Sequence, residues 1–194
     1  ILRSLHDGVS HTKAFVFTGF DRGALSCAPS NPRSILSEQM DGSADMSLGS
    51  LVGQDRVSGL LRRMVETERI PPAVLICGPV GSGKTAAAFA LGRALLCSGD
   101  RASAPCETCD NCNRTRMMSH PDLHAKLPMK SVKGKPPPLV DQQARALEAA
   151  RDPYGYALPE PNDNIAIDTI RDVIKEFSRA SFQGGRRIAI VLRA

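Results

Sequence analysis

Residues 73–85 read AVLICGPVGSGKT. The last eight of these, Gly78, Pro79, Val80, Gly81, Ser82, Gly83, Lys84 and Thr85, match G-x-x-x-x-G-K-[ST] at every fixed position. Gly81 and Gly83 permit backbone angles that side chains resist, so the turn can point its N–H groups inward around phosphates. It feeds a helix start, whose partial positive charge favours an anion. Lys84 can then reach the β- and γ-phosphates of ATP, and the Thr85 hydroxyl can ligate Mg²⁺. A glycine-rich turn with no ligand is the bland alternative. The flanks argue against it. Ala73 to Cys77 is a short apolar run, expected of a strand buried on both faces, with Cys77 a core residue beneath the loop. Residues 84–96 are rich in Ala and Leu and read as a helix.

Outward from that unit, Val57, Leu60, Leu61, Met64 and Val65 recur at helical spacing and predict a helix over 54–67. Residues 122–127 (DLHAKL) suggest a second strand. Asp168 is placed to cap a helix running to about Arg179, with Ile170, Val173, Ile174 and Phe177 on its buried face. Gly184-Gly185 then turns into RIAIVL (187–192), a further buried strand. Strands alternating with helices predict an α/β fold with a parallel sheet in three layers. Residues 1–45, rich in Ser, Gly and Asp, are expected to be a disordered leader or upstream segment, with Met40 or Met46 the natural start. Residues 46–194 form the domain, which we expect to be a fragment lacking its C-terminal part. Residues 129–163, with KGKPPP and PEPND at either end of a short helical stretch near 141–151, read as a mobile insertion with no assignable chemistry.

Four of the six cysteines lie within sixteen residues: Cys97, Cys106, Cys109 and Cys112, spaced C-x8-C-x2-C-x2-C. Two-residue gaps let neighbouring thiolates converge on one ion. Four thiolates complete a tetrahedron and leave no position for water, so a zinc module over 97–112 would be structural. An iron–sulfur cluster would use the same ligands and would colour the protein. His120 and His124 flank the module and could support a ligand, although His120 before Pro121 reads better as a turn residue.

The chain has 194 residues, enough for one domain with a core, and a formal charge of +5. A mild basic excess suits a nucleic-acid-related protein and equally a solvated basic surface. No run reaches the roughly 18 apolar residues of a membrane span, and no secretion signal opens the chain. A cytoplasmic protein is therefore expected, and in that setting clustered cysteines suggest metal rather than disulfides.

LVGQDRV (51–57), GPVGSGKT, the cysteine pattern after the helix that follows it, SHPDL (119–123) and IDTIRDV (167–173) together resemble the bacterial DNA polymerase III clamp-loader subunits. The resemblance covers roughly 48–194 apart from 129–163. It implies a P-loop NTPase domain of the AAA+ type, ATP with Mg²⁺ at Lys84 and Thr85, Zn²⁺ at the four cysteines, and Val52 as an adenine contact. It also implies partners: the other subunits of a hetero-pentamer and, through them, the sliding clamp and primed DNA. No polymerase site is visible, so any nucleotidyltransferase activity would belong to the holoenzyme. The gamma/tau type of subunit is the hydrolysing motor and carries D-E-x-H at the tip of the strand matched by RIAIVL. Here Arg193-Ala194 stands there, which together with SHPDL resembles the delta-prime stator. Two alternatives remain: a motor subunit, and a P-loop kinase with a zinc-stabilised lid.

Overall fold

The computed structural model describes residues 48–49, 51–130, 137–155, 163–182 and 185–192, together with the backbone of 13–18. Four strands form one parallel sheet: β1 (Lys13–Thr18), β2 (Ala73–Ile76), β3 (Leu123–Lys126) and β4 (Arg187–Leu192), in the order β2-β1-β4-β3. Among the described residues five α-helices accompany them: α1 (Asp55–Glu66), α2 (Lys84–Leu96), α3 (Asp110–Arg116), α4 (Leu139–Arg151) and α5 (Ile167–Ser178). The α/β character and the parallel sheet agree with the sequence reading.

Alternation along β4 explains how helices cover both faces of the sheet. Ile188, Ile190 and Leu192 are fully buried in the main core with α2. Ala189, pointing the other way, packs with Val173 and Phe177 of α5. β3 lies beside β4 with Leu123 opposite Ile188 and Lys126 opposite Val191. α1 presents Leu61 and Val65 to the core, while Leu60 of the expected face is exposed. On α5 Val173 and Phe177 are buried as expected, Ile174 is exposed, and Thr169 takes the remaining inward place.

Four expectations need correcting. Within the 1–45 stretch read as a disordered leader, Lys13–Thr18 is an interior strand: Phe15 stands opposite Ala73 and Lys13 opposite Arg187. KAFVFT holds aromatic and β-branched residues that suit a strand, but it is a lone short run without flanking periodicity. β2 is not buried on both faces. It is the sheet edge among the described residues, so Leu75 is exposed and Cys77 is exposed rather than beneath the loop. α5 begins at Ile167, so Ala166 takes the cap position and Asp168 lies inside the first turn, where its carboxylate accepts from Arg171. The described part of the 129–163 insertion is anchored. Met129 bridges Asn164 at its base, and α4 buries Ala146, Ala149 and Ala150 in the core. Residues 131–136 and 156–162 lie outside the described set.

Asp122 explains SHPDL. It is 1% exposed, and its carboxylate accepts from the Ser181 hydroxyl (3.1 Å), the Phe182 N–H (3.0 Å) and Arg187 Nε (3.1 Å). Its carbonyl accepts from the Ile188 N–H at 2.8 Å. One carboxylate thus ties the start of β3 to the turn before β4. The neighbouring His120, also buried, accepts the Asp122 N–H on Nδ1. Removing one partner of a buried ion pair leaves the other charge uncompensated. Asp122→Ala is therefore expected to lower unfolding free energy by about 3 kcal/mol or more. Urea denaturation measures this, and a loss below about 1 kcal/mol would return Asp122 to the ordinary class of polar contacts.

Candidate functional site

Two groups of residues stand at the two ends of α2. At its start, Gly83 is the N-cap with φ 80° and ψ 16°, and Gly81 also has φ 80°. Both angles lie in the left-handed region that side chains resist, so Gly81 and Gly83 stand where the backbone favours glycine. Ser82 N–H closes the turn on the Pro79 carbonyl at 3.3 Å. Lys84 folds back across the loop, and its Nζ donates to the carbonyls of Gly78 (2.7 Å) and Pro79 (2.6 Å). The ammonium is therefore held at the loop mouth by two neutral acceptors. An anion entering the loop would offer it a stronger, charge-assisted bond. Gly78 to Gly83 are half-buried or exposed, and Thr85 is half-buried in the first turn of α2. Val52 is 67% exposed in the turn preceding α1.

The motif gave no hint of Tyr154. A Cβ on Gly83 would meet Tyr154 Cε1 at 3.4 Å and its hydroxyl oxygen at 3.5 Å, so the ring lies on the open face of the last loop glycine. Tyr154 follows α4 and is itself half-exposed. Nothing local in DPYGY announces a contact with a loop some seventy residues earlier in the chain.

The cysteines gather at the other end of α2. Cys97 is its C-cap, and Cys109 is the N-cap of α3. All four sulfurs lie within 4.8 Å of one another, and Cys97 and Cys109 Sγ are 4.0 Å apart. Zinc about 2.3 Å from each of four sulfurs would hold them about 3.8 Å apart, so a contraction of less than about 1 Å closes the tetrahedron. The surroundings suit thiolates. Cys97 Sγ accepts from the N–H groups of Gly99 (3.3 Å) and Cys106 (3.4 Å), and Cys109 Sγ accepts from the Cys112 N–H (3.4 Å). Gly99 is favoured by proximity: an added Cβ would lie 3.2 Å from both Cβ and Sγ of Cys106, a tight contact. Burial pushes the thiols of Cys97 and Cys112 up. The Thr108 N–H and hydroxyl pull Cys106 down. Burial also opposes the Cys109 thiolate, yet hydrogen bonds from Ser98 and Cys112 outweigh it and hold that thiol at about 6. A divalent cation would displace the protons that remain on these thiols.

A charge cluster around the buried Arg93 fastens this module to α2. Arg93 is 3% exposed and pairs with Glu107, which also accepts from Arg116 at 2.7 Å. Glu107 lies between Cys106 and Cys109 and has φ 59°. The sequence reading missed Arg93, Gly99 and Glu107; only Glu107's place inside the C-x2-C gap was a cue. His120 and His124 do not join the sulfurs, since the metal-ligating group found among the described residues is the four cysteines. His124 pairs with Glu176 at 3.2 Å and meets the Phe177 ring edge-on. Burial holds its pKa below the ordinary value, against the pull of Glu176.

Residues 53–194 match the family described as "DNA polymerase III, delta subunit". The chain belongs to that family. A relative of this delta-family chain is DNA polymerase III subunit delta' of Bacillus subtilis, 40% identical over 75 residues, which are 39% of this chain and 22% of the relative. DNA polymerase III subunit gamma/tau of Mycobacterium bovis is 38% identical over 66 residues, 34% of this chain and 11% of the relative. Protein STICHEL of Arabidopsis thaliana is 38% identical over 68 residues, 35% and 6%. The matched stretches thus cover under a quarter of each relative's length.

The metal reading yields a direct check. Cys109→Ser is expected to release zinc and loosen residues 97–112, and Gly99→Ala to weaken zinc retention against a chelator without abolishing it. Atomic absorption on the purified proteins decides, and a Cys109→Ser protein that still carries one zinc per chain would show the ion to be held elsewhere.

Proposed function

We propose that this chain is the nucleotide-binding part of a clamp-loader subunit of the delta-prime type, built on a three-layer AAA+ domain. The observation that carries this is the pairing of a complete phosphate loop and a four-cysteine cluster on opposite ends of one helix, in a chain of the DNA polymerase III delta subunit family. In this reading the Gly78–Gly83 backbone cradles the phosphates of ATP. Lys84 exchanges its two carbonyl acceptors for the β- and γ-phosphates, Thr85 ligates Mg²⁺, and Val52 packs on the adenine. Zinc at Cys97, Cys106, Cys109 and Cys112 is structural, because four thiolates leave no open coordination position. The subunit works in the cytoplasm inside a hetero-pentamer and acts on the sliding clamp and primed DNA only through that complex.

The gamma/tau match favours a second reading, a subunit that turns ATP over. The two readings differ in one acid. A hydrolytic site needs a carboxylate at the tip of a strand beside the loop to hold the Mg²⁺ shell and orient water. β4 is the strand the sequence reading picked out for that role, and Arg193 follows its last residue, Leu192.

ATP binding and hydrolysis by the full-length protein, alone and mixed with its clamp-loader partners, separates them. The stator reading expects Lys84→Ala to weaken ATP binding by roughly tenfold or more, the loss of a charge-assisted contact, and to leave turnover by the assembled complex unchanged. Turnover that falls with Lys84→Ala makes the subunit a motor, and unchanged ATP affinity makes the loop a relic. A second readout comes from the composition: the chain has two tyrosines and no tryptophan. In a Tyr156→Phe background Tyr154 is the only tyrosine of this segment, and its emission is expected to change on adding Mg-ATP because the ring lies on Gly83. An emission unaltered at saturating ATP would separate Tyr154 from the nucleotide site.

A further inference from the structure

A cavity of about 330 Å³ opens beside the C-terminal end of α2, away from the phosphate loop, with Arg101, Arg186, Ser98, Asn111 and His120 in its wall. Its polar lining is mostly donors. Arg101 is held in place from two sides: Nε donates to Glu68 Oε1 and Nη1 to the Cys97 carbonyl, each at 3.1 Å. That second acceptor is the backbone, so this guanidinium does not neutralise the thiolates directly. Arg186 faces a different situation. It is half-buried, and its Nη1 is shielded from water with no hydrogen-bond acceptor among the described residues. Burial disfavours its charge most, the nearby Arg101 adds repulsion, and Glu68 compensates only in part. The one acid in the wall, Asp122, is already engaged by Arg187, Ser181 and Phe182.

Glu68 answers the charge of Arg101, but Arg186 brings a second like charge to the same cavity with a buried donor that lacks an acceptor, an arrangement that an entering anion would relieve. Guanidinium groups present fixed forks of N–H donors that match the oxygens of phosphate. Ser98 and Asn111 are already engaged, by Cys109 and by the Leu96 carbonyl, so the arginines carry the contact. We infer that this cavity is a phosphate-binding site distinct from the Gly78–Thr85 loop, with Arg186 and Arg101 as its ligands. The phosphate comes either from a small phosphorylated molecule or from the backbone of a nucleic acid; both present the same oxyanion. Delivered by a nucleic acid, such a site contacts backbone and not bases, so it would grip without reading sequence. The inference does not depend on the function proposed above.

The test uses full-length, zinc-loaded protein carrying Lys84→Ala, so that the phosphate loop contributes little. Inorganic phosphate is titrated by calorimetry, and a short single-stranded oligonucleotide by fluorescence anisotropy, each at two salt concentrations. Arg186→Gln is compared with Arg114→Gln, an exposed arginine on α3 outside the cavity wall. Arg186→Lys keeps the charge and loses the fork. The expected result is saturable binding of one or both probes that Arg186→Gln weakens by roughly tenfold or more, Arg186→Lys by less, and Arg114→Gln scarcely at all. Phosphate binding identifies a small anion as sufficient, and binding of the oligonucleotide alone identifies nucleic-acid backbone. Binding of neither probe, or equal loss in Arg186→Gln and Arg114→Gln, overturns the site. So does a fall in zinc content with Arg186→Gln, because the arginine would then serve the thiolates.

Discussion

Helix α2 has no face turned to water, and the rest of the structure follows from that constraint. Every residue from Ala86 to Leu96 is buried. An ordinary surface helix needs one apolar stripe; this one must be covered all round. The sheet covers one side through Ile188, Ile190 and Leu123, and α1 and α4 close over it with Leu61, Val65, Ala146 and Ala149. The module built on α3 contributes Cys112 and Ala104 to the same core. Arg93 is the exception within the helix, and Glu107 of the cysteine module answers its charge. Once these neighbours are in place, both helix ends are fixed. Thirteen residues at 1.5 Å rise put them about 20 Å apart.

The two ends have opposite electrostatic characters. The phosphate loop lies at the amino end, where unpaired N–H groups favour an anion. Cys97 lies at the carboxyl end, where the carbonyls carry partial negative charge and thiolates are unwelcome without cations. The arginines nearby serve other partners: Arg101 binds the Cys97 carbonyl, and Arg93 pairs with Glu107 in the loop that carries Cys106 and Cys109. A divalent metal would meet the thiolates' need. One rod therefore suits an anionic ligand at one end and a cationic one at the other.

Much of this was legible in the sequence wherever the signal is local. The bounds of α2, the glycines at positive φ and the spacing of the four cysteines all sit within a few residues of the chemistry they imply. What was not legible depends on neighbours distant in the chain. AVLIC reads as a strand, but nothing in it says that β2 is the edge of the sheet among the described residues, where Leu75 and Cys77 are exposed. SHPDL could be matched as a pattern, while the role of Asp122 required the turn some sixty residues later. Tyr154 on Gly83 and Arg186 beside Arg101 are contacts between segments with no shared periodicity. β1 was missed because four apolar residues, Ala14 to Phe17, in a polar stretch carry too little signal.

The make-up of α2 has a consequence for how freely it can change. Ala86, Ala87, Ala88, Ala90, Gly92 and Ala94 give it a slender waist, and Phe89 and the leucines fill what the small residues leave. Enlarging a small position forces covering elements apart, and trimming a large one opens a void. A randomised library across 86–96 should thus return few survivors, and these should be compensated pairs in which growth on the helix is matched by shrinkage on the strand or helix it touches. Variation in this chain would then gather in the surrounding segments, while the helix changes only in step with its neighbours.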